Sequence, residues 1–154
     1  MIIRAGDRAF HTAGRLALDS PNEIGGILVG WWEDGKTAVI HEFVVVPDIQ
    51  SGTNHYERGH KGAQKLLTDL IHELEDPKIG YIGEWHSHPA PQPPSRTDRN
   101  AIADIVRENG SPVVLVVLAV APNRNILPFG LIGRNRWLRH VSLEDAPIER
   151  FTYE

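Results

Sequence analysis

The most constraining feature of the sequence is an unbroken apolar run of nine residues from Val113 to Ala121. A helix that spans a membrane needs roughly 20 such residues, so this run is too short to be one. It suits a β-strand that is covered on both faces, and a strand of that kind needs other elements packed on each side of its sheet. The run therefore predicts an α/β or α+β fold with a buried sheet.

Helical and strand-like patterns alternate along the rest of the chain. Apolar residues at helical spacing predict three helices, with stripes at Phe10–Leu18, Lys61–Glu75 and Arg96–Asn109. A polar turn at Glu33–Lys36 separates two strand-like runs and indicates a hairpin. The predicted strands cover 23–32, 37–46, 79–86, 113–120, 126–132 and 137–143. This order predicts a mixed central sheet flanked by helices, and the length suits a single domain over residues 1–154.

Composition restricts the chemistry that the chain can perform. It has no cysteine, which excludes disulfides, thiol nucleophiles, iron–sulfur clusters and thiolate zinc sites. Eight histidines remain, so a transition-metal site must use imidazoles and carboxylates. The net charge of −4 gives no general electrostatic reason to bind nucleic acid or an anionic membrane. The polar N-terminus lacks the apolar core of a signal peptide, and we expect a cytoplasmic protein.

The residues that could perform chemistry are concentrated in a short segment around position 90. His86 and His88 lie two residues apart near the end of a predicted strand, so both imidazoles can project from one face. Ser95 and Asp98 have the spacing of a helix cap, which places Asp98 in the first turn, on the side that faces the protein. Each part alone is commonly an ordinary polar pair or a cap. Together, two imidazoles and a carboxylate suit Zn²⁺ and leave one coordination position open.

A hydrolytic zinc site also needs a group that carries a proton. Glu84 should project to the same strand face as His86, which makes it a candidate fourth ligand or base. Glu23, placed just before an apolar strand, is the other candidate, although the residues alone slightly favour a surface glutamate. The residues alone leave this choice open.

Three segments together resemble the JAMM, or MPN-plus, zinc metalloproteases: Glu23–Gly30, His86–Pro89 and Ser95–Asp98. The resemblance implies the α/β sandwich fold that this family shares with cytidine deaminases. It also implies one Zn²⁺ per chain, held by His86, His88 and Asp98. Deaminase chemistry itself is excluded, because those enzymes need cysteine ligands that this chain lacks.

The resemblance also assigns the remaining roles. Glu23 matches the general acid/base, and Ser95 matches the residue that positions the attacking water and stabilises the oxyanion. The family places no ligand at position 84, so Glu84 is expected to be a hydrogen-bond partner of a ligand histidine or a simple salt-bridge residue. The loop Ala90–Pro94 is shorter than in eukaryotic members, and three of its five residues are proline, which is similar to bacterial members.

The activity implied by the resemblance is hydrolysis after the C-terminal glycine of a ubiquitin-like or sulfur-carrier protein. The tail of that substrate would lie extended beside a sheet edge. Two alternatives stay open: a catalytically silent scaffold module, and a zinc hydrolase that acts on a small amide.

Other groups receive structural or surface interpretations. His55, Arg58 and His60 precede the long helix, where a flap over the cleft could lie. The tryptophans are expected in the core or in the wall of the site: Trp31, Trp32, Trp85 and Trp137. A solvated face is favoured over an acidic partner for the small basic patch formed by Arg134, Arg136, Arg139 and His140.

Overall fold

The structure is a computed structural model that describes residues 1–46, 65 and 67–152. In these ranges the strands and helices follow one another as β1 (Ile2–Gly6), α1 (Asp7–Asp19), β2 (Gly25–Glu33), β3 (Thr37–Val45), α2 (67–74), β4 (Gly80–His88), α3 (Arg96–Asn109), β5 (Val113–Val120), β6 (Ile126–Asn135), β7 (Val141–Asp145) and β8 (Ile148–Phe151). No helix within these ranges is both long enough and apolar enough to cross a bilayer.

The strands form one mixed sheet in the order β7-β6-β5-β4-β2-β3-β1-β8. β1 runs parallel to both β3 and β8, and β4 runs parallel to β5, whereas the other neighbours are antiparallel. The carboxyl ends of β1, β3, β4 and β5 consequently lie along the same edge of the sheet. His88, the last residue of β4, is therefore at this edge.

The positions of the two outermost strands show that the sheet is curled. β7 and β8 stand at opposite ends of the strand order, yet only Ala146 and Pro147 connect them. Ala146 donates its backbone N–H to the carbonyl of Gly130 in β6, and Ile3 of β1 donates to the carbonyl of Pro147. The connection therefore brings the two edges of the sheet together.

Helices cover both faces of the sheet, as the long apolar run predicts. Alternate residues of β5 face opposite ways: Val114, Val116 and Leu118 join the core beneath α1, and Val113, Leu115 and Val117 pack against α3. The helix α2 packs on a third cluster, which includes Ile27 and Val29 of β2. The α/β class with a mixed sheet is thus confirmed, while the single-domain organisation and the likeness to cytidine deaminases stay predictions.

Several local predictions hold and others fail. The β2–β3 hairpin and the bounds of α3 are as predicted, and Trp85 is buried in the core. The strand predicted over 137–143 is wrong in its first half, where Trp137–Arg139 forms a short 3₁₀ turn with Leu138 at a φ of 59°. Trp137 is 86% exposed on that turn, so it belongs to neither the core nor the site wall. The segment with the predicted flap, 55–60, lies outside the described residues.

Candidate metal site

The end of β4 and the first turn of α3 bring two imidazoles and a carboxylate together. The Nε2 atoms of His86 and His88 are 3.2 Å apart. Oδ2 of Asp98 lies 3.3 Å from the first of these nitrogens and 3.5 Å from the second. Zn–N and Zn–O bonds of about 2.0–2.2 Å in tetrahedral geometry place neighbouring ligand atoms about 3.4 Å apart. The three atoms thus have the separation that a single tetrahedral ion requires.

Asp98 is held in this position by a reciprocal cap at the start of α3. The Ser95 N–H donates to Asp98 Oδ2 at 2.7 Å, and the Asp98 N–H donates to the Ser95 hydroxyl at 3.1 Å. Burial alone would raise the pKa of Asp98, but the nearby His86 and the hydrogen bonds from Ser95 together lower it well below its usual range. The carboxyl is therefore ionised at neutral pH, as a metal ligand must be.

His88 is oriented by the proline-rich loop that follows it. Its Nδ1 lies 2.8 Å from the backbone carbonyl oxygen of Gln92. Because a carbonyl only accepts, Nδ1 must carry the hydrogen, and neutral His88 then presents the lone pair of Nε2. Ligand histidines are commonly oriented by such a bond. The short loop thus fixes both the ring and its tautomer.

Glu23 stands at the rim of the same cluster. Its carboxylate and the nitrogens of His86 and His88 all lie within 4.8 Å of one another, and its side chain is exposed. Contrary to the predicted strand over 23–32, β2 begins only at Gly25, so Glu23 lies in the connection before the strand. The strand is shortened because Ile24 bonds to the side chain of Ser87.

Two glycines after Glu23 allow β2 to enter between its neighbours. A Cβ on Gly25 would overlap the carbonyl oxygen of Trp85, and one on Gly26 would overlap the carbonyl oxygen of Val44. Neither position has room for a side chain. Gly25 therefore lets the backbone beside Glu23 approach β4 closely, and Gly26 allows the close approach of β3.

Glu84 lies on the strand face predicted from the sequence, and its carboxyl oxygen Oε2 is buried there. Its strand register sets it between Ile27 of β2 and Leu115 of β5, on the same face as His86. Its carboxyl hydrogen-bonds with Tyr81, and its Oε2 is buried without a partner among the described residues. Burial raises the pKa of Glu84 to about 8, and the Tyr81 bond offsets this only in part. The carboxyl is mostly neutral at pH 7, which suits neither a ligand nor a base.

Glu84→Gln is expected to make stability less dependent on pH. The pKa of Glu84 is about 8 in the folded protein and about 4.5 in its ordinary state, so the folded protein keeps a proton that the unfolded chain releases between these pH values. The stabilisation from this proton is complete below pH 4.5 and is lost as the pH rises to 8. We expect wild-type stability to fall by about 4 kcal/mol between pH 5 and pH 9.

Urea unfolding of both proteins at pH 5 and pH 9 measures this effect. The Glu84→Gln variant should lose clearly less stability than the wild type over that range. Equal losses in the two proteins would show that Glu84 is ionised in the fold.

Two residues of the basic patch, Arg134 and Arg136, bond to other groups of the protein. Arg136 contacts Glu144 at 2.8 Å and the Ser142 hydroxyl at 3.0 Å, and Arg134 donates to the Gly35 carbonyl. These contacts favour the interpretation of a solvated face.

Two residues that shape the site were missed on sequence, Ser87 and Gln92. Ser87 is 2% exposed and lies between the two histidines, so a hydroxyl on the inward face of the strand was its only signal. Gln92 acts through its backbone and leaves no side-chain signal.

Comparison with known proteins places these features in a family. The sequence profile of prokaryotic homologs of the JAB domain matches residues 8–130. A CD-NTase/cGAS isopeptidase of Enterobacter hormaechei is 35% identical over 103 residues, which cover 62% of this chain and 55% of that protein. The match thus spans only about half the length of that relative. A probable metalloprotease of Sinorhizobium fredii is 29% identical over 116 residues, 73% of this chain and 71% of its own.

The fold also matches a solved structure. The solution structure of a protein from Desulfitobacterium hafniense superposes with a TM-score of 0.70 over 99% of this chain and 94% of its own, at 15% sequence identity. This likeness concerns the fold alone.

Proposed function

The chain belongs to the family of prokaryotic JAB-domain proteins, and from this premise we propose that it is a zinc-dependent peptidase or isopeptidase. The observation that carries the proposal is the triangle of ligand atoms from His86, His88 and Asp98, with sides of 3.2, 3.3 and 3.5 Å. A silent scaffold has no need of such a triangle. An ionised carboxyl and an oriented imidazole are the donors that a metal requires.

One Zn²⁺ per chain fits this set of donors. Two imidazoles and one carboxylate, with no thiolate, are typical of a catalytic zinc site with an open fourth position. When bound there, the ion would polarise a carbonyl and lower the pKa of a water toward about 7. His86, His88 and Asp98 are the residues that would hold it.

Glu23 is proposed as the general acid/base, although its carboxylate also belongs to the cluster around the histidines. Ligand atoms on one ion lie about 3.4 Å apart. Asp98 has that separation from both histidines and is held by the cap of α3, whereas Glu23 lies within 4.8 Å of them on an exposed side chain at the rim of the site. An exposed carboxylate at the rim can take a proton from the attacking water and pass it to the leaving amine.

Ser95 is proposed to assist at the first turn of α3. Its hydroxyl oxygen accepts from the Asp98 N–H, so its own hydrogen points elsewhere and can be donated. A donor this close to Asp98 can hold the attacking water or the negative charge that develops on the carbonyl oxygen.

The proposed substrate is a ubiquitin-like or sulfur-carrier protein, cleaved after its C-terminal glycine. The Enterobacter relative, which is named as an isopeptidase, supports the isopeptidase reading. An extended tail could reach this site, because the proposed ligands lie at the carboxyl end of β4 and the start of α3, and Glu23 is exposed.

Turnover by the zinc-loaded protein tests the proposal. The substrates are ubiquitin-like and sulfur-carrier proteins ending in Gly-Gly, each joined either to a lysine side chain or to a linear peptide, together with a series of small amides. Zinc-dependent cleavage after the glycine is the expected result. Less than one zinc per chain and no turnover would favour a scaffold, and turnover of small amides alone would indicate an amidase.

A further inference from the structure

Ser87 lies between the two histidines in β4 and faces away from them, toward the core. Together with His88 it is one of the two polar residues that are fully buried in the described ranges. Its hydroxyl accepts a hydrogen bond from the backbone N–H of Ile24 at 3.0 Å. Its own backbone N–H donates to the carbonyl of Ile24 at 2.7 Å. Ser87 thus hydrogen-bonds to both the backbone N–H and the backbone carbonyl of Ile24.

This arrangement ends the ladder between β2 and β4. In a hydrogen-bonded antiparallel pair, each residue gives its N–H to the carbonyl of the other. Here Ser87 gives its N–H to Ile24, but Ile24 gives its N–H to the Ser87 side chain instead of the carbonyl. The regular pairing of β2 with β4 consequently begins one residue later, at Gly25 and His86. The residues before Ile24 therefore lie outside the ladder and need not continue in the direction of β2.

Glu23 directly precedes Ile24 and is the first residue outside the ladder. Its side chain makes no hydrogen bond or ion pair with any residue that the structure describes, so its direction depends on the backbone on each side. On the far side, the Ser20 hydroxyl donates to the carbonyl of Asn22 at 2.8 Å in an exposed turn. On the near side the Ser87–Ile24 contact is the stronger restraint, because it uses both backbone polar groups of Ile24 and Ser87 is only 2% exposed.

We propose that Ser87 is a positioning residue that acts through Ile24 to direct the Glu23 carboxylate at the metal site. The proposal rests on the function proposed above, in which Glu23 carries the proton. Continued as a regular ladder, the strand would set Glu23 directly opposite His88, where its carboxylate would compete for the open coordination position. The hydroxyl at position 87 holds Glu23 out of that register.

The first test compares Ser87→Ala with Ser87→Thr, which keeps the hydroxyl. The control is Ser142→Ala, which removes a remote hydroxyl that accepts a hydrogen bond from Arg136. The substrate is whichever Gly-Gly conjugate the wild type cleaves. We expect Ser87→Ala to lower kcat by about 10- to 100-fold, with KM and bound zinc unchanged. Ser87→Thr should recover most of this loss, and Ser142→Ala should match the wild type.

The second test does not need a substrate. The visible spectrum of the cobalt-loaded protein is titrated with pH, and the exchange rate of the Ile24 amide is measured. Ser87→Ala should move the titration in the same direction as Glu23→Ala and accelerate Ile24 exchange. The cobalt titration therefore tests the role of Ser87 even if no conjugate is cleaved. Absence of cleavage would count against the proposed function alone.

Three results would overturn the role of Ser87. The first is an unchanged kcat in folded Ser87→Ala when Glu23→Ala is inactive. The second is a pH titration of cobalt-loaded Ser87→Ala that is the same as that of the wild type. Loss of zinc from Ser87→Ala would show that the residue acts on the histidines and not on Glu23.

Discussion

Glu23→Ala is expected to abolish hydrolysis while zinc stays bound. The variant removes the exposed carboxylate at the rim of the site, to which the proposal assigns proton transfer. Loss of a positioned general acid/base costs about 10²- to 10⁴-fold in rate. The three ligand atoms of His86, His88 and Asp98 are untouched, so one zinc per chain should remain. Turnover of the Gly-Gly conjugates and metal content by atomic emission measure the two halves of the prediction.

Two further variants separate the role of Glu23 from general effects of lost charge. Glu23→Gln keeps the size of the side chain but cannot accept the proton, so it should be as inactive as Glu23→Ala. Glu33→Ala removes an exposed glutamate at the end of β2, which is paired with Arg4 at the surface, and should behave as the wild type. Activity in Glu23→Ala near that of the wild type would refute the proposed mechanism. Loss of zinc from this variant would instead make Glu23 a ligand.

The parts of the site that the sequence predicts are those that depend on local geometry. Alternation along a strand places His86 and His88 on one face, whatever the strand pairs with. The spacing of Ser95 and Asp98 likewise defines a cap within a single helical turn, and the structure shows that cap in both directions. Their meeting needed only that a strand end and a helix start be joined by a short, stiff loop.

The parts that were missed depend on contacts between distant segments. Ser87 reaches Ile24 across 63 positions of sequence, and nothing near either residue indicates the pairing. Glu84 was judged by its strand face alone, although its protonation follows from neighbouring strands that surround it. β1 and β8 are short and pair with each other only because the sheet curls. Trp137 was assigned to the core or the site wall by its residue type, but it lies on an exposed turn between β6 and β7.

Removal of a ligand is expected to abolish metal binding and activity together. His88→Ala removes the imidazole whose ring is fixed by Gln92, and Asp98→Ala removes the carboxylate from the triangle. Substitution of a group behind a ligand already costs about 10- to 100-fold in affinity, so loss of the ligand itself should cost more. Both variants should lack zinc after purification, and chelator treatment of the wild type should give the same inactive state, reversible by Zn²⁺.

Asp98 needs a matched control, because it also caps α3. Asp98→Ala loses both the ligand and the cap, and the cap alone is worth about 1 kcal/mol. Ser95→Ala loses the other half of the cap but keeps all three ligand atoms. Zinc at 1,000 times its Kd should stabilise a binding-competent fold by about 4 kcal/mol. We therefore expect Zn²⁺ to raise the Tm of the wild type and of Ser95→Ala, and to leave Asp98→Ala unchanged. An equal rise in Asp98→Ala would show that this carboxylate is a cap and not a ligand.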